Sequence, residues 1–238
     1  MVYTFVLGLL LGLRHALDAD HLAAVASLAT RSRSTAETVR TGIAWGVGHT
    51  LTLFVVCAAV LLMDIGFAEN VARIAEFAVG LMLVGLGLDV IRRAVRKRMH
   101  LHGHVHDAAG YHLHLHGHRG DGAHAASAHR HRHPKGLPGR ALVVGLMHGL
   151  AGSAALLVLA VAELGDAALG LAYVVLFGIG SMLGMAALSF TIALPLRASA
   201  RYAAWGFNGL NIAIGGGTAA LGAFVLVETA PAVGALLA

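Results

Sequence analysis

Long apolar runs separated by short polar connections dominate the chain. A run of about 20 apolar residues is long enough to cross a bilayer as a helix, and the sequence contains six such runs. They cover residues 2–29, 41–62, 70–93, 140–162, 170–195 and 204–227. The pattern predicts an all-α polytopic membrane protein with six transmembrane helices.

The charged residues in the connections alternate in sign along the chain. Basic clusters that include Arg31, Arg92 and Arg197 follow spans one, three and five, whereas Asp64 and Glu163 mark the second and fourth connections. Cytoplasmic loops of membrane proteins are enriched in Lys and Arg. We therefore expect a cell (inner) membrane protein with both termini outside and loops one, three and five in the cytoplasm.

The first half of the chain resembles the second. A shift of 133 residues places 11–25 on 144–158, so that Gly12 falls on Gly145 and His15 on His148. A shift of 132 residues places "WGVGHT" on "FGIGSM". Chance similarity between helices rich in Gly, Leu and Ala is the alternative explanation.

Three spans in each half require that the halves insert in opposite directions. Inverted repeats with a binding site at their interface are typical of transporters. We therefore predict a 3+3 inverted repeat, with the first half at 1–99, a His-rich cytoplasmic loop at 100–139 and the second half at 140–238.

Composition agrees with a membrane protein. The chain of 238 residues is 58% hydrophobic and only 12% charged, whereas soluble domains average about 25% charged residues. The net charge of +5 is explained by the basic loops. We therefore expect the lipid bilayer, and not nucleic acid, as a partner.

One stretch inside the first span, "RHALDADHLAAV" (14–25), is unusually polar. An ionisable residue deep in a membrane costs roughly 2.5–3.5 kcal/mol on insertion scales, so a cluster of them requires a compensating partner. Imidazole and carboxylate groups together favour a divalent transition metal ion. The ionisable residues are Arg14, His15, Asp18, Asp20 and His21.

An unbroken helix would divide these residues between two faces. At 3.6 residues per turn, His15, Asp18 and His21 share an arc of about 120°, and Asp20 points away from it. In an unbroken helix, Asp20 would orient a liganding imidazole or pair with Arg14. In a helix that breaks here, Asp20 could itself become a ligand. The alternative to a metal site is a salt-bridge network of Arg14 with both aspartates.

Two further histidines lie in other apolar spans. His49 follows two glycines in "GVGHTLTLF", and His148 lies in the segment that aligns with the charged motif. A lone histidine in a membrane helix is often a packed, hydrogen-bonded residue, but the repeat favours convergence of both on one central site. Weaker polar candidates, which could instead cap or bridge helices, are Thr50, Ser153, Asn208 and Asn211.

The third loop contains a histidine tract. Twelve of the 34 residues in 100–133 are histidines, and Gly and Ala make up much of the rest. The tract lacks an apolar pattern that could build a core, so we expect disorder in the absence of ligand. His-rich tracts are typical of metal binding, and a neutral linker is the alternative.

The charged motif resembles the signature of the nickel/cobalt transporter (permease) family. "RHALDADHLAAV" contains a His-x4-Asp-His pattern, and "GVGHT" is similar to a Gly-His-Ser/Thr pattern in the next helix. The resemblance covers residues 12–60, and it implies transport of Ni²⁺ or Co²⁺. The short six-span form with a His-rich third loop also resembles related nickel/cobalt exporters. The metal-handling residues that the resemblance implies are His15, Asp18, Asp20, His21 and His49.

These observations together predict a carrier without enzymatic activity, for which Ni²⁺ or Co²⁺ is the transported substrate rather than a cofactor. Uptake is favoured over efflux, and a membrane-bound metal store or accessory protein for a nickel enzyme is the alternative. An intramembrane hydrolase, with Ser181 as nucleophile and a histidine as base, is the rival from another class. The predicted metal site consists of His15, Asp18, Asp20, His21, His49 and His148.

Overall fold

A computed structural model describes residues 2–32, 34–63, 69–96, 100–106, 110–116, 138–149, 165–202 and 204–237. These ranges contain seven helices and one β-hairpin. In chain order the elements are α1 (Val2–His15), α2 (Ala19–Ala29), α3 (Thr35–Met63), α4 (Glu69–Arg96), β1 (His100–His106), β2 (Gly110–His116), α5 (Gly139–His148), α6 (Ala167–Tyr202) and α7 (Ala204–Leu237).

Four helices, α3, α4, α6 and α7, are long and apolar enough to cross a membrane. Their outward surfaces carry large apolar side chains, such as Leu81, Phe224 and Val227, that are more than half exposed. Such surfaces suit a lipid environment, and they confirm the predicted helical class. The fourth predicted span, 140–162, is described only as far as His148 in α5 and Gly149. Its remainder, with Ser153, lies outside the described residues, so six spans and a 3+3 repeat stay predictions.

The first predicted span, 2–29, is two helices rather than one. α1 ends at His15, and α2 begins at Ala19. Asp18 between them is extended, with ψ of 147°, and the amide of Asp18 donates a hydrogen bond to the carbonyl of His15 at 3.1 Å. Aspartate favours such helix-start positions over helix interiors, so the polar motif itself explains the break. Of the two possibilities that the sequence left open for this motif, an unbroken helix and a broken one, the structure has the broken one.

The helices pack in a pattern that crosses between the two halves of the chain. The most extensive contacts join α4 to α7, α3 to α6, α1 to α6 and α3 to α5. A core of buried residues lies where these helices meet α2, and its largest members are Trp45, Leu83 and Met185. Each of the two long pairs therefore combines one helix from each half.

Glycines allow two of these helix pairs to touch through their backbones. A Cβ at Gly12 of α1 would collide with the carbonyl of Phe177 in α6, and one at Gly145 of α5 would collide with the carbonyl of Trp45 in α3. Small residues permit such close approach between membrane helices. The two glycines are also the pair that the internal repeat aligns.

An ion-pair network fastens the end of α2 to α4. Asp89 accepts hydrogen bonds from both Arg31 and Arg93, and Arg93 also donates to the hydroxyl of Thr30 at 3.1 Å. These charges lie at one end of the helices, away from the polar motif of the first span. The network therefore fixes α2 against α4.

The strands β1 and β2 form an antiparallel hairpin within the predicted disordered loop. Their sequences, "HLHGHVH" and "GYHLHLH", have histidine at every second position, and this period of two is the one that a strand requires. The expectation of disorder in the absence of ligand stays a prediction for this loop. The remainder of the tract, from residue 117, lies outside the described residues.

The substitution Gly145→Ala tests the close helix contact. The added methyl group meets the Trp45 backbone, and overpacking of this kind costs about 1–3 kcal/mol. We expect a lower thermal unfolding midpoint in detergent, measured by circular dichroism at the helical signal.

Gly216→Ala is the matched control, because a Cβ at Gly216 in α7 meets nothing within 4 Å. Its unfolding midpoint should stay the same or rise, since alanine favours helices over glycine. Equal midpoints for the two variants would contradict the backbone contact at Gly145.

Candidate metal centre

The break in the first span and the glycine contacts bring four histidines together. The four are the histidines of the chain that lie outside the tract, and each is buried, with at most 7% of its surface exposed. They come from the ends of α1 and α5 and from within α2 and α3. In that order they are His15, His148, His21 and His49.

The imidazole rings are in direct contact with one another. Nε2 of His15 lies 3.2 Å from Nε2 of His49. The ring centroid of His21 lies 4.3 Å from that of His15 and 4.2 Å from that of His148. Two nitrogens bound to one ion at about 2.1 Å are separated by about 3 Å, so the His15–His49 distance suits a shared ion.

Two carboxylates orient three of these rings. Asp18 accepts a hydrogen bond from Nδ1 of His15 at 2.8 Å. Asp20 binds Nδ1 of His21 at 3.0 Å and Nε2 of His148 at 2.9 Å. The break after α1 thus turns Asp20 inward, where the unbroken helix would have pointed it away.

These hydrogen bonds leave ring nitrogens with available lone pairs. A neutral imidazole that donates one N–H keeps one lone pair on its other nitrogen. Among the described residues, three buried imidazole nitrogens have no hydrogen-bond partner: Nε2 of His21, Nδ1 of His49 and Nδ1 of His148. An unsatisfied buried polar atom costs about 1–3 kcal/mol, and a bound cation would remove that cost.

The ligand atoms form two overlapping groups of three. One group is His15, His21 and His49, all buried, and the other is Asp20, His21 and His148. Within each group, one ligand atom per residue lies within 4.8 Å of the others. His21 belongs to both groups, so it cannot complete both with its single free nitrogen.

The charges of the cluster suit a divalent cation. Four neutral imidazoles and two carboxylates carry a charge of about −2 in total, which a divalent ion would neutralise. The carboxylates are the more accessible members, because the side chain of Asp18 is 51% exposed and that of Asp20 is 33% exposed. The imidazoles form the buried interior.

The predicted site residues thus lie in one cluster, whereas the alternative partners do not join it. Within the described ranges, no ion pair connects Arg14 to Asp18 or Asp20, which bind histidines instead. Ser181 is fully buried, but over the same ranges its hydroxyl makes no hydrogen bond with a histidine.

The weaker polar candidates have separate positions. Thr50 donates a hydrogen bond to the carbonyl of Gly178 at 3.2 Å and so bridges α3 to α6. Asn211 on α7 is buried, and the carboxamide oxygens of Asn208 and Asn211 have no partner among the described residues.

Aromatic walls enclose the cluster, and the sequence analysis did not identify them. The Trp45 ring stacks on His21 at 5.5 Å and meets His148 edge-on at 5.4 Å. The Phe177 ring lies 5.3 Å from His15. Trp45 is four residues before His49, on the same helix face, and the repeat aligns Trp45 with Phe177. Those two signals could have identified both walls.

The chain is similar to a known protein over most of its length. The chain is 34% identical over 196 residues to the urease accessory protein UreH of Bacillus sp. (strain TB-90), and the match covers 82% of this chain and 78% of that relative. No family model matches the chain. No solved structure matches it either.

Quenching of Trp45 fluorescence by Ni²⁺ tests binding at the cluster. The chain has two tryptophans, so Trp205→Phe leaves Trp45 as the only strong emitter. Because Trp45 stacks on His21, Ni²⁺ bound there should quench its emission in a saturable titration. Adding His21→Ala, which removes the residue common to both ligand groups, should abolish the saturable phase.

Ser189→Ala in the same Trp205→Phe background is the control. Ser189 is buried in α6 without a partner among the described residues, and it is outside both ligand groups. This chain should be quenched normally. Saturable quenching that survives His21→Ala would show that the ion binds elsewhere.

Proposed function

Because the chain belongs to the family of the urease accessory protein UreH, we propose that it is a nickel-handling membrane protein that carries Ni²⁺ across the bilayer through the central cluster. Urease is a nickel enzyme, so an accessory protein of urease is connected with nickel supply. The four apolar helices support a membrane location. The name of the relative favours nickel over cobalt, which the ligand types do not distinguish.

The convergence of four histidines and two carboxylates is the observation that carries the proposal. Burying imidazoles in contact with one another adds little to the free energy of folding, because each ring loses its hydrogen bonds to water and its nitrogens then need new partners. The same arrangement supplies imidazole nitrogen ligands and compensating charge to a divalent transition metal ion. The cluster therefore has the chemistry of a site for a metal cation.

The shared ligand suggests how an ion would move. His21 can complete either the group with His15 and His49 or the group with Asp20 and His148. An ion held in one group would pass to the other while His21 stays bound. Exchange of the other ligands, one at a time, avoids an intermediate in which the ion has lost all protein contacts.

The packing supports a carrier built from two inverted halves. In the internal repeat, α1 corresponds to α5, and α3 corresponds to α6. The contact of α1 with α6 therefore has a counterpart in the contact of α5 with α3, and both contacts occur. The aligned glycines Gly12 and Gly145 make these two contacts, and the aligned aromatics Trp45 and Phe177 flank the cluster. Carriers of this type alternate access by rocking one half against the other.

We propose binding and transport rather than hydrolysis. A serine nucleophile needs a base within hydrogen-bonding reach, and Ser181 makes no such bond to His49 or His148 in the described part of the chain. The carboxylates bind imidazole nitrogens on the sides away from the free lone pairs, an arrangement typical of metal-ligating histidines.

An accessory role without transport is the second candidate, and the name of the relative, a urease accessory protein, favours it. A membrane protein that stores nickel and delivers it to an enzyme would need the same cluster. The two roles differ in flux, because only a carrier moves ions across a sealed membrane.

Flux into proteoliposomes tests the carrier. Purified protein is reconstituted with a nickel-sensitive dye inside the vesicles, and Ni²⁺ is added outside. We expect a protein-dependent fluorescence change that His21→Ala abolishes and Ser189→Ala preserves. Nickel binding without flux in the unsubstituted protein would favour the accessory role. Cells expressing the protein should accumulate nickel, whereas lower cellular nickel would indicate efflux.

Asp20→Asn tests the carboxylate that joins the two ligand groups. The substitution keeps the size of the side chain but removes its charge and one of its two acceptor oxygens. Loss of a carboxylate that orients metal-bound histidines typically lowers affinity about 10–100-fold. We expect a rise of that size in the Ni²⁺ concentration needed for half-maximal Trp45 quenching.

Glu37→Gln provides the comparison, since it also removes one carboxylate but lies in the first turn of α3. Its quenching curve should match that of the unsubstituted protein. An unchanged curve for Asp20→Asn would contradict a role for Asp20 in metal binding.

A further inference from the structure

A cavity of about 330 Å³ lies between α2, α4 and α5, away from the central cluster. Its volume is within the range of about 300–1,000 Å³ that is usual for ligand sites. The cavity exists because α5 packs mainly on α3 and touches α4 only lightly. Two arginines line it, Arg31 just after α2 and Arg140 in the first turn of α5. It is called here the arginine cavity.

Positive charge exceeds negative charge around the arginine cavity. Asp89 accepts hydrogen bonds from both Arg31 and Arg93, so these three groups together keep one net positive charge. Arg140 adds a second positive charge, and it lies close enough to Arg93 for the two guanidinium groups to repel each other. An anion bound in the cavity would reduce this repulsion.

The part of the cavity that lies nearer the central cluster is apolar. It begins about one helical turn, or about 5 Å, from the arginines along their helices. Val143, which contributes to it, is 55% exposed, so this part opens to the outer surface of the helices. The apolar lining residues are Leu28, Leu86, Val143 and Val144.

We propose that the arginine cavity binds an anionic phospholipid, with the phosphate between Arg31 and Arg140 and the start of an acyl chain on the apolar lining. The planar guanidinium of arginine matches the geometry of phosphate oxygens. The N-terminus of α5, at Gly139, lines the same cavity, and its helix dipole favours an anion. Basic pockets between membrane helices bind lipid headgroups in this way. A free phosphate would leave the apolar lining without a partner.

Arg31 can bind the phosphate while it stays bonded to Asp89. Nη2 of Arg31 donates to Asp89, and a guanidinium has five N–H donors in total. The side chain of Arg31 is 31% exposed, and it lines the cavity. A bound lipid would therefore connect α2 to α5, which make no extensive contact with each other in the described ranges.

Binding of phosphatidylglycerol to the purified full-length protein tests this proposal. The protein is freed of lipid in detergent, and native mass spectrometry then measures the number of bound lipids and the dissociation constant. We expect one tightly bound molecule per chain. Phosphatidylcholine, whose choline group offsets the phosphate charge, should bind more weakly. Equal binding of the two lipids would overturn the proposal, and so would displacement of phosphatidylglycerol by inorganic phosphate at equal concentration.

Arg140→Gln removes one of the two arginines that line the cavity. Because hydrogen bonds to a charged group are lost, phosphatidylglycerol should bind about 10–100-fold more weakly. Arg92→Gln is the matched control, since Arg92 is exposed near the end of α4 and does not line the cavity. It removes the same charge, and it should weaken binding at most about fivefold. Equal weakening by both variants would overturn the proposal, because net charge would then account for the attraction.

Gly139→Asp places a negative charge beside the proposed phosphate position. A Cβ at Gly139 meets nothing within 4 Å, and an acidic residue in the first turn stabilises a helix. The unfolding midpoint of the lipid-free variant should therefore be unchanged or higher, which excludes misfolding as the cause of lost binding. Repulsion between like charges should weaken phosphatidylglycerol binding about tenfold or more.

Gly139→Asn is the matched control for the charge, because asparagine has nearly the shape of aspartate but is neutral. It should bind phosphatidylglycerol as the unsubstituted protein does. Normal binding by Gly139→Asp would overturn the proposal. Neither Arg140 nor Gly139 belongs to the two ligand groups of the central cluster, so the result of these experiments is independent of the proposed function.

Discussion

The side chain of Asp20 joins the two halves of the chain at the central cluster. One oxygen accepts hydrogen bonds from the backbone and the ring of His21, and the other binds His148, which is 128 residues further along. An isolated carboxylate is strongly disfavoured in an apolar helical protein. The fold satisfies this one by breaking the first span, so that the chain turns Asp20 toward α5. The position of the break, the inward orientation of His21 and the meeting of α2 with α5 all depend on that requirement.

Much of the helical class and of the cluster could be predicted from the sequence. A helix that faces lipid must be apolar over the thickness of the bilayer, so the length of an apolar run indicates a membrane helix. The helices α3, α4, α6 and α7 follow this rule. The histidines stood out because ionisable residues are costly in such runs. Convergence of His49 and His148 on the motif followed from the repeat, since aligned positions in inverted halves approach a common centre. Their assignment as metal ligands stays a prediction, and so does the number of six membrane spans.

The features that the sequence did not reveal depend on tertiary contacts. Periodicity places residues on a face only while the helix continues, so the turn at 16–18 and the inward rotation of Asp20 could not follow from it. In the sequence, Trp45 resembles any other core residue, and only the structure shows its ring stacked on His21. The hairpin has a local origin instead, because the sequences of its strands alternate with a period of two, a pattern that the histidine-rich composition of the tract obscures.

The glycine contacts also fix where the histidines can lie. α1 with α6, and α3 with α5, meet backbone to backbone, and such interfaces have no side-chain rotamers that could absorb sliding. α3 approaches α6 as closely, since a Cβ at Gly42 would meet the carbonyl of Met185 and one at Gly46 the Cα of Met182. His15 and His148, at the ends of α1 and α5, are therefore held at a set depth by the neighbouring backbones rather than by adjustable side chains.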